Sequence, residues 1–329
     1  MGIGTVSRVL NDSPLVSAAT RARVMAAIER LGYQPSPIAR AFGGRRTHAL
    51  ELVVSLSTRG YFVDILRGVE QALADTAFRL LVRTVEDQAE RERVFDECCR
   101  PAQSDGALII GMRPTPSLVA RLDREGVPAV LVNVIDGRLW SVSVDHEAAA
   151  TGAVTHCLRL GHRRIALVDR AEDPFDSDGR RLCHDGYRAA LDESGVSLPE
   201  TYERLTTLSV AAGAAALEPL LALSPPPTAI IAASEAQGIG LVEAARSLGR
   251  RIPDELSVVG YNDSELAAFL GLTTMRVPLR EVGRRSAEVL LAAIAEPEGV
   301  PRTTYLSAEL VRRRTCGVPP NGAAARRAG

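Results

Sequence analysis

The chain has 329 residues, 46% hydrophobic and 24% charged, long enough for two ordinary domains plus an appendage. No apolar run reaches membrane-spanning length, and Met1 is not followed by a cationic and then an apolar leader segment, so a soluble, cytoplasmic protein is expected. The formal net charge of -1 conceals an asymmetry. Residues 1–47 carry Arg at 8, 21, 23, 30, 40, 45 and 46 against only Asp12 and Glu29, and the acidic excess lies in the remainder, as in a nucleic-acid binder with a second function.

In the opening stretch, Val6, Val9 and Leu10 recur at three- and four-residue spacing, which buries one face of a short helix and leaves Thr5, Ser7, Arg8 and Asn11 on another. A short polar, cationic face suits a DNA major groove, where hydroxyls reach phosphates and Arg reads guanine edges; it equally describes an ordinary surface helix. Asn11-Asp12-Ser13-Pro14 reads as a turn, and Ser17 as the N-cap of a helix over 18–31 that Gly32 ends. After the break at Tyr33-Gln34-Pro35-Ser36-Pro37, residues 38–42 suffice for little more than one helical turn, which is expected to order only on docking.

From Ala49 onward short apolar strands alternate with helices: strands over 50–56, 79–85, 107–110, 129–132 and 142–144, helices over 61–77, 87–100 and 116–126. A helix over 146–160 leads to a second series, with strands over 164–168, 204–208, 229–233 and 257–261 and helices over 185–194, 211–223 and 235–248. Continuous apolar strands between helices predict parallel sheets covered on both faces. The fold class expected is therefore α/β, two doubly wound parallel-sheet lobes behind a small all-helical head. Ligands of such sheets sit outside the carboxyl ends of the strands. The last part, a strand over 273–277, a helix over 279–295 and a strand-like run over 304–312, is too little for its own core and is expected to cross back between the lobes. The division expected is 1–47 for head and hinge, 48–145 with 278–303 for the first lobe, 146–277 with 304–316 for the second, and 317–329 as a disordered tail. Cysteines at 98, 99, 157, 183 and 316 include one adjacent pair and no C-x-x-C, and the histidines hold no ligand spacing with them, so reduced thiols are expected, with no metal, cofactor or disulfide framework indicated.

Four segments carry a family resemblance: Thr5-Val6-Ser7-Arg8-Val9-Leu10-Asn11 with Val16-Ser17 and Thr20-Arg21; Gly32-Tyr33-Gln34-Pro35 through Ala39-Arg40; Leu160-Gly161-His162-Arg163-Arg164-Ile165-Ala166; and the run from Ile252-Pro253-Asp254 to Gly260-Tyr261-Asn262-Asp263 with Leu272-Thr273-Thr274. In this order and spacing they resemble the lactose-repressor/purine-repressor family of bacterial transcription regulators over nearly the whole chain. The resemblance implies a helix-turn-helix head, a hinge helix, a core shaped like a periplasmic sugar-binding protein, and a homodimer on a roughly palindromic operator whose affinity a small metabolite sets. It implies DNA-binding roles for Ile3, Gly4, Thr5, Ser7, Arg8, Asn11, Tyr33 and Arg40, with Phe42 as a minor-groove wedge. It also implies a further helix ahead of the recognition helix, inside whose following turn Met1 falls. A head without it is expected to leave Val6, Val9, Val24 and Ile28 poorly covered, which favours either a start upstream of Met1 or an effector-binding dimer without autonomous DNA binding.

For the effector, the resemblance implies Tyr61 and Phe62 against the ligand, or one ring in the cleft and one in the core, with Ser177, Arg181, Cys183, Leu208, Ser234, Glu235 and Asn262 in the second lobe. The family's Arg three residues before Gly186-Tyr187 is replaced by Cys183, and its acid after the Gly-aromatic pair by Asn262. Loss of that charge-assisted clamp implies a less polar pocket, or one unlike that of sugar-responsive members. The lone His146 near the lobe crossover is expected to be structural rather than a ligand contact. A sugar or a nucleoside is the expected effector class. A solute-binding protein fits the lobes but not the basic head, and no nucleophile with a paired base or phosphate-binding loop supports an enzyme.

Overall fold

The computed structural model describes residues 2–10, 13–31, 46–55, 59–101, 103–171, 175 and 178–320; the side chains of Ile3, Ser7, Leu10, Arg59 and Gly60 are not described. The hinge segment over 38–42 and the tail from 321 lie outside the described residues.

The head contains α1 (Ile3–Leu10) and α2 (Ala18–Leu31). Ser17 caps α2 as its sequence position predicts, its Oγ accepting from Thr20 N at 3.4 Å. Val9 and Val24 are each only 2% exposed, so the expected poor cover does not hold for these two, while Val6 and Ile28 are half-buried. Arg21 on α2 closes the turn by donating to Val9 O at 3.3 Å and Ser13 O at 3.0 Å. That arginine, counted as part of the basic head, is committed at least in part to holding the two helices together.

The chain enters the body through residues tied to it. Arg46 donates to Ile294 O at 3.0 Å, and the Asp105 carboxylate accepts from Thr47 N at 2.7 Å, Thr47 Oγ1 at 2.9 Å and His48 N at 2.8 Å. There follow β1 (Ala49–Ser55), α3 (Arg59–Leu73), β2 (Arg79–Val85), α4 (Gln88–Glu97), β3 (Gly106–Ile110), α5 (Pro116–Glu125), β4 (Ala129–Val132), β5 (Trp140–Val144) and α6 (His146–Arg159). The second series is β6 (Ile165–Arg170), α7 (Gly179–Glu193), β7 (Glu203–Thr206), α8 (Val210–Leu221), β8 (Ala229–Ala232), α9 (Glu235–Ser247), β9 (Ser257–Asn262), α10 (Glu265–Leu270), β10 (Thr273–Arg276), α11 (Leu279–Ala295), β11 (Thr303–Leu306) and β12 (Glu309–Val311). Capping explains several boundaries. Asp87, Thr115, Asp145, Ser209 and Ser234 each accept from a backbone N–H of the first turn, and Gly126 ends α5 in the left-handed conformation, φ 65°.

The first sheet runs β11-β5-β4-β3-β1-β2 and is wholly parallel; the second runs β12-β10-β9-β8-β6-β7 and is parallel except for β12. The two lobes therefore repeat one strand order, each reversing direction beside its first strand, which opens a crevice at the carboxyl ends. The chain crosses between lobes after β5, after β10 and between β11 and β12. The run over 304–312 is thus two strands rather than one, and the first sheet keeps Thr303–Leu306, so the expected boundary at 303/304 moves to the break at Ser307-Ala308. β2, expected as a fully apolar buried strand, is an edge strand with Leu81 and Val82 exposed. α10 was not expected at all, because six residues show too little periodicity to read.

One apolar cluster runs from the inner face of the first sheet through α11 and α6 to the inner face of the second, and each lobe has a second cluster on its outer face. α3 and α11 approach until backbones touch: a Cβ added at Gly68 would lie 1.9 Å from Arg280 O, and one at Gly283 2.0 Å from Ile65 O.

Candidate functional site

The carboxyl ends of the two sheets face a cavity of about 690 Å³. The first lobe contributes Tyr61 and Asp64 from α3, Gly111 after β3 and Asn133 after β4. The crossovers bring His146, Arg276, Arg280 and Arg284, and the second lobe brings Arg170, Cys183, Leu208, Ser234, Glu235 and Asn262.

Of the expected effector residues, Tyr61, Cys183, Leu208, Ser234, Glu235 and Asn262 line this cavity. Phe62 does not; both rings pack against the central apolar cluster, and of the two Tyr61 also lines the cleft. Arg181 is also absent from the lining; its side chain, 66% exposed, lies 3.4 Å from Asp185 and 3.7 Å from Asp178. Ser177 lies outside the described residues.

Several lining groups are already engaged. Ser234 caps α9, accepting from Gln237 N at 3.2 Å, and donates to Gln237 Oε1 at 3.0 Å. Glu235 accepts from Ser264 N at 2.7 Å and Ser264 Oγ at 2.5 Å, which pins the loop after β9 to the start of α9. Asn262 and Asp263 both sit at positive φ, 88° and 67°, a conformation that short amide and acid side chains tolerate better than most. The turn separates their roles. Asp263 accepts from Arg276 at 2.8 Å and Arg313 at 2.5 Å, leaving Asn262 in the place of the family's acid. Burial alone would raise the Asp263 pKa, but the hydrogen bonds from Arg313 and Arg276 outweigh it and hold the carboxyl below its ordinary range.

With Cys183 in place of the expected Arg, the cleft still holds charge. Burial pushes the Cys183 thiol up to about 12, so it is a neutral, nearly apolar wall. A guanidinium comes instead from Arg170, at the end of β6. Its Nη2 lies 2.6 Å from where a Cβ on Gly179 would stand, so the absence of a side chain at the first residue of α7 leaves room for it. Arg276, Arg280 and Arg284 on the crossover side and Asp64 on α3 add further charged groups to a lining that is otherwise largely apolar, with Glu281 paired to Arg284 along α11. Sequence reasoning missed Arg170 because the family's Arg is sought on the helix, whereas here the charge arrives from the strand.

His146, set aside as structural, both lines the cleft and forms a buried pair with Tyr261: Nδ1 and the hydroxyl are hydrogen-bonded at 2.7 Å. Burial, aided by the positive charge of Arg170, lowers its pKa to about 4, so the imidazole is neutral at physiological pH.

On the head, Gly4, Thr5 and Arg8 lie on α1 with Arg8 exposed; Ile3 and Ser7 belong to the same helix. Asn11, Tyr33, Arg40 and Phe42 lie outside the described residues.

Comparison with known proteins resolves what this geometry belongs to. Residues 2–36 match the family of bacterial regulatory proteins, lacI family, and residues 154–316 match a periplasmic binding protein-like domain. The chain is 32% identical to the HTH-type transcriptional regulator CelR of Thermobifida fusca, over 96% of this chain and 95% of that protein. It belongs to the lacI family.

Other relatives place it among ligand-responsive, DNA-binding transcriptional regulators. The ribose operon repressor of Escherichia coli strain K12 is 29% identical over 94% of each chain. A structure of the CelR-cellobiose complex is similar at TM-score 0.74, with 31% identity and 96% coverage of both chains. The lac repressor dimer bound to operator and an anti-inducer is similar at TM-score 0.81, with 26% identity, covering 96% of this chain and 95% of that one. These relatives are transcriptional regulators, not enzymes. Among the described residues no helix of this lacI-family protein is long and apolar enough to cross a membrane.

Proposed function

We propose that this regulator is a cytoplasmic, homodimeric repressor whose operator affinity is set by a small polyhydroxylated effector of the saccharide class, bound in the inter-lobe cleft. The observation that carries the effector class is the lining itself: from the first lobe a Tyr61 ring, for the apolar face of a sugar, and Asn133, and from the second lobe Arg170 and Asn262, polar groups for hydroxyls. Cellobiose in the CelR complex and the ribose system of the second relative support the same class. The fused head and the regulator relatives favour this reading over a free solute-binding protein, and a cleft built of engaged polar groups favours binding over catalysis. The operator is read by α1, with Arg8 as its exposed cation.

A thermal-shift screen of the full chain against mono- and disaccharides, nucleosides and purines tests the class, because a ligand that binds only the folded form raises the melting temperature. Concentration-dependent stabilisation by a saccharide, together with altered binding to DNA from the protein's own promoter region, is the expected result. Stabilisation by a nucleoside or purine alone would overturn the saccharide assignment. A saccharide that binds without changing operator affinity would overturn the regulatory one.

A further inference from the structure

Behind the first sheet, away from the cleft, three side chains meet for which the function described so far has no use. Glu51 lies on β1 of a parallel sheet, fully buried, in a strand whose pattern reads as apolar. Facing it across the outer cluster are Cys98 and Cys99, which follow α4 and are also fully buried. The two sulfurs are 3.2 Å apart, and one ligand atom from each of Glu51, Cys98 and Cys99 lies within 4.8 Å of the others. Cys99 takes a left-handed backbone, φ 61°, and its N–H donates to Glu51 Oε2 at 3.0 Å. Arg83 Nε lies 3.4 Å from that same oxygen. The other carboxylate oxygen, Oε1, is buried without a hydrogen-bond partner. Orphaned buried carboxylate oxygens are costly and rare in native proteins, and one beside two thiols is explained by a ligand.

We propose that Glu51, Cys98 and Cys99 form a binding site for a thiophilic divalent cation of the zinc type. Two sulfurs and one carboxylate oxygen are a donor set suited to such an ion. Two thiolates and the carboxylate against a divalent cation leave one negative charge, and the guanidinium groups of Arg83, beside Glu51, and Arg121, on the Cys98 carbonyl, are placed to offset it. Binding releases the two thiol protons to solvent and changes no oxidation state. Tetrahedral coordination with metal–sulfur bonds near 2.3 Å holds two sulfurs about 3.8 Å apart, so the pair parts by roughly half an ångström. The sequence reading passed the site over because adjacent cysteines lack C-x-x-C spacing, and the third ligand is brought in from a distant strand by the β1–α4 packing.

The test uses the full chain, reduced and stripped with a chelator, titrated with cadmium and separately with zinc. The expected result is a thiolate-to-cadmium charge-transfer band in the ultraviolet that saturates at a single metal per chain and is displaced by zinc. Cys98→Ser with Cys99→Ser abolishes the band. Glu51→Gln, which keeps the shape of the side chain, weakens binding by about tenfold or more while retaining the far-ultraviolet circular dichroism of the parent. Cys157→Ala serves as control, since Cys157 is buried in the central apolar cluster rather than in the outer one that holds Cys98 and Cys99, and it leaves the band unchanged. Absence of saturable binding to the reduced chain, a band that survives in the double serine variant, or unchanged affinity in Glu51→Gln would each overturn the proposal. So would an intact mass two hydrogens lighter as the only change the thiols undergo, which would make the pair a redox couple rather than a metal site.

Discussion

At the scale of single residues, the cleft holds a guanidinium although the position where the resemblance places one carries a cysteine. The family's clamp is absent at positions 183 and 262, yet Arg170 lies in the same cavity as Cys183 and Asn262. The neutral His146 carries a pH signature. Its pKa is about 4 in the folded chain against an ordinary 6.5, so the unfolded chain binds the extra proton over that interval. Its contribution to stability is therefore fully present above about pH 6.5 and is lost as pH falls toward 4. The shift corresponds to up to about 3 kcal/mol. His162, just beyond the end of the helix that His146 begins and also lowered chiefly by burial, adds a slope of the same sign, so the test is a difference. His146→Gln is expected to flatten the dependence of unfolding free energy on pH across this interval relative to the parent, measured by denaturant melts at several pH values. Parallel curves would place the acid sensitivity elsewhere. On the head, Arg8→Ala is expected to cost about 1–3 kcal/mol on the specific operator and less on random DNA, as for a base-reading guanidinium. Equal losses in a paired titration would make Arg8 a phosphate contact.

At the scale of elements, the alternation of apolar strands and amphipathic helices was legible because parallel strands buried on both faces leave a continuous apolar run, as in Ala129–Val132 and Ala229–Ala232. Three features were not legible, each for a physical reason. The split at Ser307-Ala308 depends on which sheet edge is free to accept each half of a short polar run, and the local sequence carries no mark of it. Arg170 follows Asp169 at the end of an apolar strand, and its place in the cleft depends on the space over Gly179 on a following helix. Glu51 was hidden in an apolar strand because only the fold shows that α4 lays two thiols over it. The tightest element contact is α3 against α11, where glycines take the place of side chains. Gly283→Ala puts a methyl group on Ile65 O with no flexible side chain to yield, and is expected to destabilise the chain by about 1–3 kcal/mol. Thermal melts read this as a lowered midpoint, whereas an unchanged midpoint would mean that the two helices slide apart freely.

At the scale of the whole molecule, the lobes are joined by more than their three crossovers. Phe175, on the segment after β6 of the second lobe, is 1% exposed and belongs to the outer apolar cluster of the first, beside Val134 and Met112. Its carbonyl accepts from Arg113 N at 3.0 Å. Asp178 then accepts from Arg113 Nη2 at 2.6 Å and from Ile135 N at 3.0 Å. These contacts form a clasp across one side of the cleft, joining the second lobe to the turns after β3 and β4. A ligand that touches both lobes is favoured by whatever holds them together, because it binds the closed arrangement better than the open one. Phe175→Ala removes the apolar part of the clasp without touching the cavity lining. It is expected to weaken effector binding by about tenfold or more through a lower population of the closed form. Small-angle scattering of the ligand-free variant should show a larger radius of gyration than the parent, converging on it at saturating effector. If the variant binds effector as tightly as the parent, closure is set by the crossovers alone, and the segment around Phe175 serves only to cover the core of the first lobe.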